Sequence, residues 1–261
     1  MRHGHDEQVQ LWERILSADE CFYAYFADRA DLPGAVLFTA ERPDAPEFDL
    51  ALIDRVADDA AELTLSRIDR HFREHRRTPR IRLTPRSTPG HWPAILRHAG
   101  FHETDGRHVY LLAPETFRPP TNPAIRIERV VTPDDADLFS AIQVAAFGIA
   151  PEHRAWDRDL ARRHLAVGER IFYLAWLDGQ AVGAAMSTPA EDGTTLLSGL
   201  ATLPDARRQG VATSLLRRRV DDARNWGSTT IFSTALADGY PARLYERLGF
   251  IPLFAARTFA P

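Results

Sequence analysis

The sequence contains no lysine: every one of its 32 basic residues is arginine. That excludes a Schiff-base lysine, the lysine of a phosphate-binding P-loop and the strand lysine of a kinase. Cysteine is nearly as scarce. Cys21 alone permits no intrachain disulfide and no multi-cysteine zinc or iron–sulfur site, so a reduced compartment is the expectation. No apolar run approaches the ~18 residues that would suggest a membrane span. The polar start Met1–Glu7 is followed by no apolar signal core, and a cytoplasmic protein without a membrane partner is expected. Excess positive charge is also missing. With 36 acidic residues the net charge is −4, and nucleic acid, whose phosphates require a basic face, is not an expected partner. What is present is ordinary for a protein with a buried core: 44% apolar and 26% charged residues in a chain of 261, long enough for one large domain or two small ones.

The clearest break is Arg118-Pro119-Pro120-Thr121-Asn122-Pro123. Three prolines in five residues fit neither a helix interior nor a central strand, so 119–123 reads as a stiff linker between domains at 1–118 and 124–261. The second part alternates cleanly. Ala124–Val131 reads as a strand; Thr132 caps a helix that starts at Pro133-Asp134-Asp135 and runs to Phe147. A charged helix over Glu152–Val167 follows. Strands Ile171–Leu177 and Ala181–Ser187 flank the hairpin signal Asp178-Gly179. Next come strand Thr195–Leu203, a helix from Gln209 to Asn225, strand Ile231–Ala235, helix Pro241–Leu248 and strand Ile251–Phe259. In the first part, Cys21–Phe26, Ala35–Thr39 and Phe48–Ile53 read as strands and Asp54–Arg77 as a long helix. Strand Arg80–Thr84, helix Pro93–His98 and strand His108–Ala113 complete it.

The two parts end alike. Arg97-His98-Ala99-Gly100-Phe101 lies 149 residues before Glu246-Arg247-Leu248-Gly249-Phe250. In both, a strand leads to a short helix, a Gly-Phe step and a final strand, with glycine at the left-handed residue that closes the helix. The matching order of elements indicates a diverged duplication. The fold class is therefore α/β with a mixed sheet, in two copies.

The stretch Leu200-Ala201-Thr202-Leu203-Pro204-Asp205-Ala206-Arg207-Arg208-Gln209-Gly210-Val211-Ala212-Thr213 carries the chemistry. A buried strand passes through a short loop into an amphipathic helix whose first turn holds Gly210 and Ala212. Amides of a first helical turn have no intrahelical acceptor and sit at the positive end of the dipole, so they hold phosphate without lysine. Arg207 and Arg208 add charge at the rim. The same residues also suit a closely packed strand–turn–helix with its arginines in solvent.

Arg-Arg-Gln-Gly-Val-Ala after Leu-Ala-Thr-Leu-Pro-Asp resembles the acyl-CoA-binding motif of the GNAT superfamily of N-acetyltransferases. Asp238-Gly239-Tyr240-Pro241-Ala242-Arg243-Leu244-Tyr245-Glu246-Arg247-Leu248-Gly249-Phe250 resembles that family's second motif, at the right distance. The resemblance covers Ile125–Phe259 well; over residues 9–115 it rests on element order and the Gly-Phe ending. It implies two GNAT-like domains, each a mostly antiparallel twisted sheet flanked by helices, and acetyl-CoA as the acyl donor. Leu200, Ala201 and Thr202 would pair through their backbone with the pantetheine arm. Gln209, Gly210, Val211, Ala212 and Thr213 would offer amides to the pyrophosphate, with Arg207 and Arg208 beside them. Tyr245 would protonate the departing sulfur. Asp238 stands where many members carry an asparagine that touches the cofactor, and a carboxylate accepts but cannot donate.

The implied chemistry is consistent with these residues. A thiol of pKa about 8.5 is a fair leaving group, so a tyrosine of pKa about 10 acts as a helper acid. Candidates for the base are Glu152, His153 and Asp157 or a bound water; Arg217-Arg218-Arg219 reads as the polar face of its helix. The first copy lacks an Arg-x-x-Gly-x-Gly/Ala segment and has Leu96 in place of Tyr245, so it is expected to be degenerate. It would wall the acceptor site and mimic the second subunit of a dimer, giving a monomeric pseudo-dimer or a homodimer. The acceptor would be a small-molecule amine or a peptide or protein N-terminus, received by loops within 147–170 and by parts of the first half. A non-catalytic acyl-CoA-binding or regulatory protein is the alternative. More remotely, His71, Glu74 and His75 match the inverted zinc-peptidase pattern His-x-x-Glu-His, although Arg70, Arg73, Arg76 and Arg77 crowd a dication there; no metal is expected. His3-Gly4-His5-Asp6 reads as a frayed terminus.

Overall fold

The computed structural model describes residues 2–42, 45–104, 106–113, 117, 119–120 and 122–261, the side chains of residues 2–6 excepted. The Cα positions form two compact units. One comprises Met1–Ala18, Leu111–Ser233 and Leu248–Phe250; the other comprises Asp19–Tyr110, Thr234–Arg247 and Ile251–Pro261. This division differs from a single cut at 119–123, because segments late in the chain cluster with its first half. Arg118 and Thr121 of the proline-rich segment lie outside the described residues.

The chain begins with α1 (Arg2–Tyr23) and continues through β1 (Ala27–Leu32), β2 (Ala35–Ala40), β3 (Leu50–Arg55), α2 (Ala61–Glu74), β4 (Arg80–Thr88), α3 (Trp92–His98), β5 (His102–Glu103) and β6 (Arg107–Leu112). β1, β2 and β3 are joined antiparallel, and β3 pairs with β4 in parallel. A parallel step requires a crossover, which α2 supplies. Ala61, Leu65, Ile68 and Phe72 recur at helical spacing and cover Leu37, Ala51, Ile53 and Ile81 of the strands. The segment Cys21–Phe26, expected as a strand from its aromatic residues, is instead the end of α1 and the turn after it. Its rings are core anchors: Tyr23 packs 5.6 Å from Phe38, and Phe26 stacks on Phe48 at 4.2 Å. Packing of this kind overrides β-propensity. The long helix expected over 54–77 is likewise only α2, because Leu50–Arg55 is drawn into the sheet.

The second half contains β7 (Arg126–Arg129), α4 (Pro133–Phe147), α5 (Arg154–Val167), β8 (Ile171–Leu177), β9 (Gln180–Pro189), β10 (Thr194–Thr202), α6 (Val211–Asn225), β11 (Thr230–Leu236), α7 (Tyr240–Arg247) and β12 (Phe250–Ala260). β7 to β10 form an antiparallel meander, and β10 pairs with β11 in parallel across α6. α4 starts as the sequence dictates. The Thr132 hydroxyl accepts from the Asp135 amide at 3.2 Å, the Asp135 carboxylate accepts from the Thr132 amide at 3.2 Å, and Pro133 opens the helix. Successive residues of β8 define two faces. Phe172 meets Phe139 of α4 at 4.6 Å, whereas the Tyr173 hydroxyl donates to Asp222 of α6 at 3.0 Å. Helices α4 and α6 therefore cover opposite faces of this sheet.

α6 buries Val211, Leu215, Leu216, Val220 and Ala223. Each of the larger four contributes roughly 1.5–3 kcal/mol by leaving water. Arg219 lies on the same stripe at 0% exposure. The triplet Arg217-Arg218-Arg219 is thus not a uniform polar face: its third member belongs to the core.

The two halves repeat one another. β1-β2-β3-β4 and β8-β9-β10-β11 each run two antiparallel steps followed by a parallel one across a helix. The register is irregular in both: Ser198↔Met186 is followed by Ala201↔Ala184, with the extra residue on β10, whereas Ile53↔Leu83 is followed by Arg55↔Thr88, with the extra residues on β4. β12 pairs antiparallel with β4 through Arg257↔Leu83, Thr258↔Arg82 and Phe259↔Ile81, so the last strand extends the sheet of the first half. The architecture is mixed α/β, mostly antiparallel and flanked by helices. Among the described residues no helix is long and apolar enough to cross a membrane.

Candidate active site

Strand β10 has an edge that its neighbour abandons. The parallel ladder joins Thr194–Leu197 to Thr230–Ser233 and stops, while β10 continues to Thr202 along β9. From Ser198 to Thr202 it therefore has, among the described residues, a strand on one side only. The Ser198 and Thr202 hydroxyls are buried there without a hydrogen-bond partner among the described residues. A polar group left this way carries a desolvation cost that a bound polar chain relieves.

A 3-10 turn at Pro204–Ala206 follows, and then the backbone reverses twice, with Arg208 at φ +62° and Gly210 at φ +91°. A turn of this kind directs successive N–H groups toward a common side, an anion-binding arrangement. Glycine relieves the steric penalty at the second reversal. The Ser214 amide is the first to bond into the helix, donating to the Gly210 carbonyl at 2.9 Å. Among the described residues the amides of Val211, Ala212 and Thr213 have no acceptor, and no side chain caps the helix. No acidic residue stands in the first turn. Gln209, Arg207 and Arg208 are exposed. The Gln209 side-chain amide donates to the Asp205 carbonyl at 3.0 Å, and Arg207 Nε donates to the Thr202 carbonyl at 3.4 Å. Free amides, a positive dipole end and two rim guanidiniums fit a diphosphate. The corresponding turn of the first half does not: it has Asp58, Asp59 and Glu62, and its cap Ala60 sits at φ −99°.

Tyr245 is carried by α7, where Ala242, Leu244 and Tyr245 are buried. It is 3% exposed, and its ring centroid lies 5.7 Å from that of Tyr110. The Tyr110 hydroxyl donates to Glu246 Oε1 at 3.3 Å; burial, and then the charge of Glu246, raise it above the usual tyrosine range. Arg243 donates to the Asp238 backbone carbonyl at 2.7 Å, not to its carboxylate. Leu96, at the place of Tyr245 in the first half, is fully buried. Leu200–Thr202 and Arg207–Thr213 thus belong to one compact unit, and Asp238 and Tyr245 to the other.

Of the candidate bases, Glu152 lines a groove of about 570 Å³ between α4 and α5, together with Asp137, Arg154 and Arg158. His71 and His75 are engaged elsewhere. His71 Nε2 lies 2.8 Å from the Thr39 hydroxyl, and His75 Nδ1 lies 2.7 Å from the His71 carbonyl. Among the described residues no group of three His, Cys, Asp or Glu side chains is placed to hold a metal ion. The side chains of His3, His5 and Asp6 lie outside the described residues, although their backbone is part of α1.

Three supporting residues escaped the sequence reading. Asn122 Nδ2 donates to the Gln209 carbonyl at 2.9 Å and so braces the loop ahead of Gly210. Gln143 of α4 donates to the Gly199 carbonyl, and Arg219 of α6 donates to the Ser198 carbonyl at 3.0 Å. Helical spacing offered a signal for Arg219 alone, since it falls four residues after Leu215 and three after Leu216.

Residues 136–250 match the sequence model of the Acetyltransferase (GNAT) family. A GCN5-related N-acetyltransferase from Kribbella flavida is similar in structure, with a TM-score of 0.72 at 19% identity over 95% of this chain and 94% of that one. A tandem GNAT protein from the clavulanic acid biosynthesis pathway, solved without acetyl-CoA, aligns over 98% of this chain and 95% of its own at TM-score 0.61 and 16% identity. A GCN5-related N-acetyltransferase from Sphaerobacter thermophilus gives 0.63 at 16% identity over 89% and 82%. These likenesses carry the fold. No curated protein sequence matches significantly.

Proposed function

We propose that this chain, which carries a GNAT-family acetyltransferase domain at residues 136–250, moves an acetyl group from acetyl-CoA to a primary amine of a small molecule or of a peptide or protein N-terminus. The family is one of acetyl-CoA-dependent acyltransferases. The catalytic copy is residues 124–261; residues 1–118, joined through 119–123, form the degenerate one. One observation carries the reading: the uncapped amides of Val211, Ala212 and Thr213, headed by Gly210 in the left-handed conformation, directly follow a strand with an open edge.

Each residue then has a task. The amides of Gln209–Thr213 hold the pyrophosphate, and Arg207 and Arg208 neutralise it from the rim. Leu200, Ala201 and Thr202 take the pantetheine amides along the free edge of β10, as an added strand would. Bound acetyl-CoA supplies an activated acyl carbon. The acceptor nitrogen forms a bond to that carbon, the carbon–sulfur bond breaks, and the Tyr245 hydroxyl gives its proton to the departing sulfur. The amine's own proton leaves to a base. Holding both substrates together supplies most of the acceleration, and the acid adds roughly 10²–10⁴-fold. The carboxylates around the first-half turn repel a diphosphate, so that half binds no second donor.

Calorimetry with acetyl-CoA and a Tyr245→Phe variant tests this reading. Binding to both proteins, with turnover lost only in the variant, supports it. Absence of binding to the wild type overturns the donor assignment. Binding without product from any amine in a broad panel points instead to a non-catalytic acyl-CoA sensor.

A further inference from the structure

The groove between α4 and α5 carries polar groups that the fold itself does not use. Its walls are largely apolar, with Ala141, Val144 and Ala145 from α4 and Ala155 from α5, and its volume of about 570 Å³ is that of a small-molecule site. One polar group interrupts the α4 wall. Ser140 is 4% exposed, yet among the described residues its hydroxyl has no hydrogen-bond partner, not even the Ala136 carbonyl to which a helical serine ordinarily returns. Because Ser140 lines the groove, that hydroxyl is open to an occupant.

The rim is charged. Asp137 is already engaged by Arg162, through bonds of 2.7 and 2.6 Å. Among the described residues Glu152 and Arg154 have no partner, and Arg158 is 3.6 Å from its exposed neighbour Asp159. Both arginines are locally unfavourable for the helix. Arg154 is the first residue of α5, a cation at the positive end of the dipole, with no side-chain cap. Arg158 follows one turn later, and like charges at that spacing repel. Asp157, the acid of this turn, does not line the groove. Two local penalties at one place mark a site rather than a folding device. A carboxylate relieves both, since its two oxygens match the planar guanidinium fork. Glu152, on the same rim, complements an ammonium and disfavours a polyanion. The same helix ties the groove to the donor strand, for Gln143, three residues after Ser140, donates to the Gly199 carbonyl of β10.

We propose that this groove receives the acceptor and that the acceptor is an amine bearing a carboxylate, an amino acid or short peptide. Arg154 and Arg158 hold the carboxylate, Ser140 bonds to the polar backbone beside it, and the apolar walls take the side chain. The assignment rests on the transferase reading above. Acetylation consumes the amine and leaves the carboxylate untouched, so the charge that selects the acceptor takes no part in the reaction.

The test sets the twenty common amino acids and a series of dipeptides against their C-terminal amides, which keep the amine and lose the negative charge. Binding is read by saturation-transfer NMR without acetyl-CoA, and turnover by release of free thiol with it. Free acids bind and are acetylated, and the matching amides lose roughly 10²-fold in kcat/KM, mostly through KM. Arg154→Gln and Arg158→Gln each raise KM for the acids about 10-fold, the size of one charge-assisted bond, with kcat within about threefold. Both residues are exposed, so the core survives their replacement. In the double variant acids and amides become equivalent, and Ser140→Ala raises KM a few-fold. Equal use of acids and amides by wild type overturns the carboxylate assignment, as does an unchanged KM in the double variant. Acetyl-CoA binding with neither NMR contact nor turnover for any acid also overturns it, and leaves the transferase reading standing. Acids that bind through the two arginines while acetyl-CoA does not bind at all strike the parent reading instead.

Discussion

Replacing Gly210 separates backbone from charge at the proposed diphosphate loop. An added Cβ would meet only Asn122 Cβ at 3.5 Å and Ile125 Cδ1 at 3.8 Å, ordinary contacts, so there is room. The φ of +91° costs a side-chain-bearing residue about 1–2 kcal/mol of stability. Gly210→Ala should therefore melt a few degrees lower and still bind acetyl-CoA. Gly210→Gln adds bulk to the same strain. Gly210→Glu adds a negative charge beside the diphosphate. At an effective dielectric of about 20, two like unit charges 4 Å apart repel by ~4 kcal/mol, and partial exposure reduces this to about 1–3 kcal/mol. Gly210→Glu should thus bind about 10–100-fold more weakly than Gly210→Gln in low-salt calorimetry. In 1 M salt, where the screening length is about 3 Å, most of that gap should close. Equal affinities for the Glu and Gln variants at low salt would falsify the assignment of the diphosphate to residues 209–213.

Tyr245→Phe is expected to reduce turnover by roughly 10²–10⁴-fold with an unchanged acetyl-CoA dissociation constant; unaltered turnover removes Tyr245 as the acid. Thr132→Ala removes half of the reciprocal cap of α4 and should cost about 1 kcal/mol, read as a drop of ~2–4 °C in melting temperature. Asp222→Asn weakens bonds from Tyr173, Arg129 and Arg218 at 3.0, 3.1 and 3.1 Å and should cost about 1–3 kcal/mol by urea unfolding. His71 is held below its ordinary 6.5 by burial and then by His75. Its unfolded form takes up the proton first, so its contribution to stability is present above pH 6.5 and lost as the pH falls below it. His71→Gln should flatten the decline in melting temperature between pH 7.5 and 5.5; an identical decline in both proteins contradicts this.

Much of the second half was legible because local chemistry and fold agree there. Thr132-Pro133-Asp134-Asp135 specifies a helix start whatever surrounds it, and Asp178-Gly179 specifies a reversal. The Gly210 loop was legible for the same reason, since glycine at a helix start answers a backbone requirement. Cys21–Phe26 misled because its aromatics suit a strand and a packed helix end equally, and only Phe38 and Phe48, brought in by the fold, decide between them. Arg219 was hidden within a run of three arginines, where charge outweighed periodicity. Asn122 was hidden by the prolines around it, which mark a linker but do not show what the linker touches.

The pairing of β12 with β4 bears on how this protein is made. During synthesis the residues of β4 emerge about 170 residues before their partners Arg257, Thr258 and Phe259, so the edge that β12 covers has no partner until the chain is almost finished. An exposed edge invites pairing with a foreign strand. Severing the chain after the proline-rich stretch would make that interval permanent, so neither piece is a natural unit for expression: the leading fragment would keep an unsatisfied ribbon and the trailing one an orphaned strand.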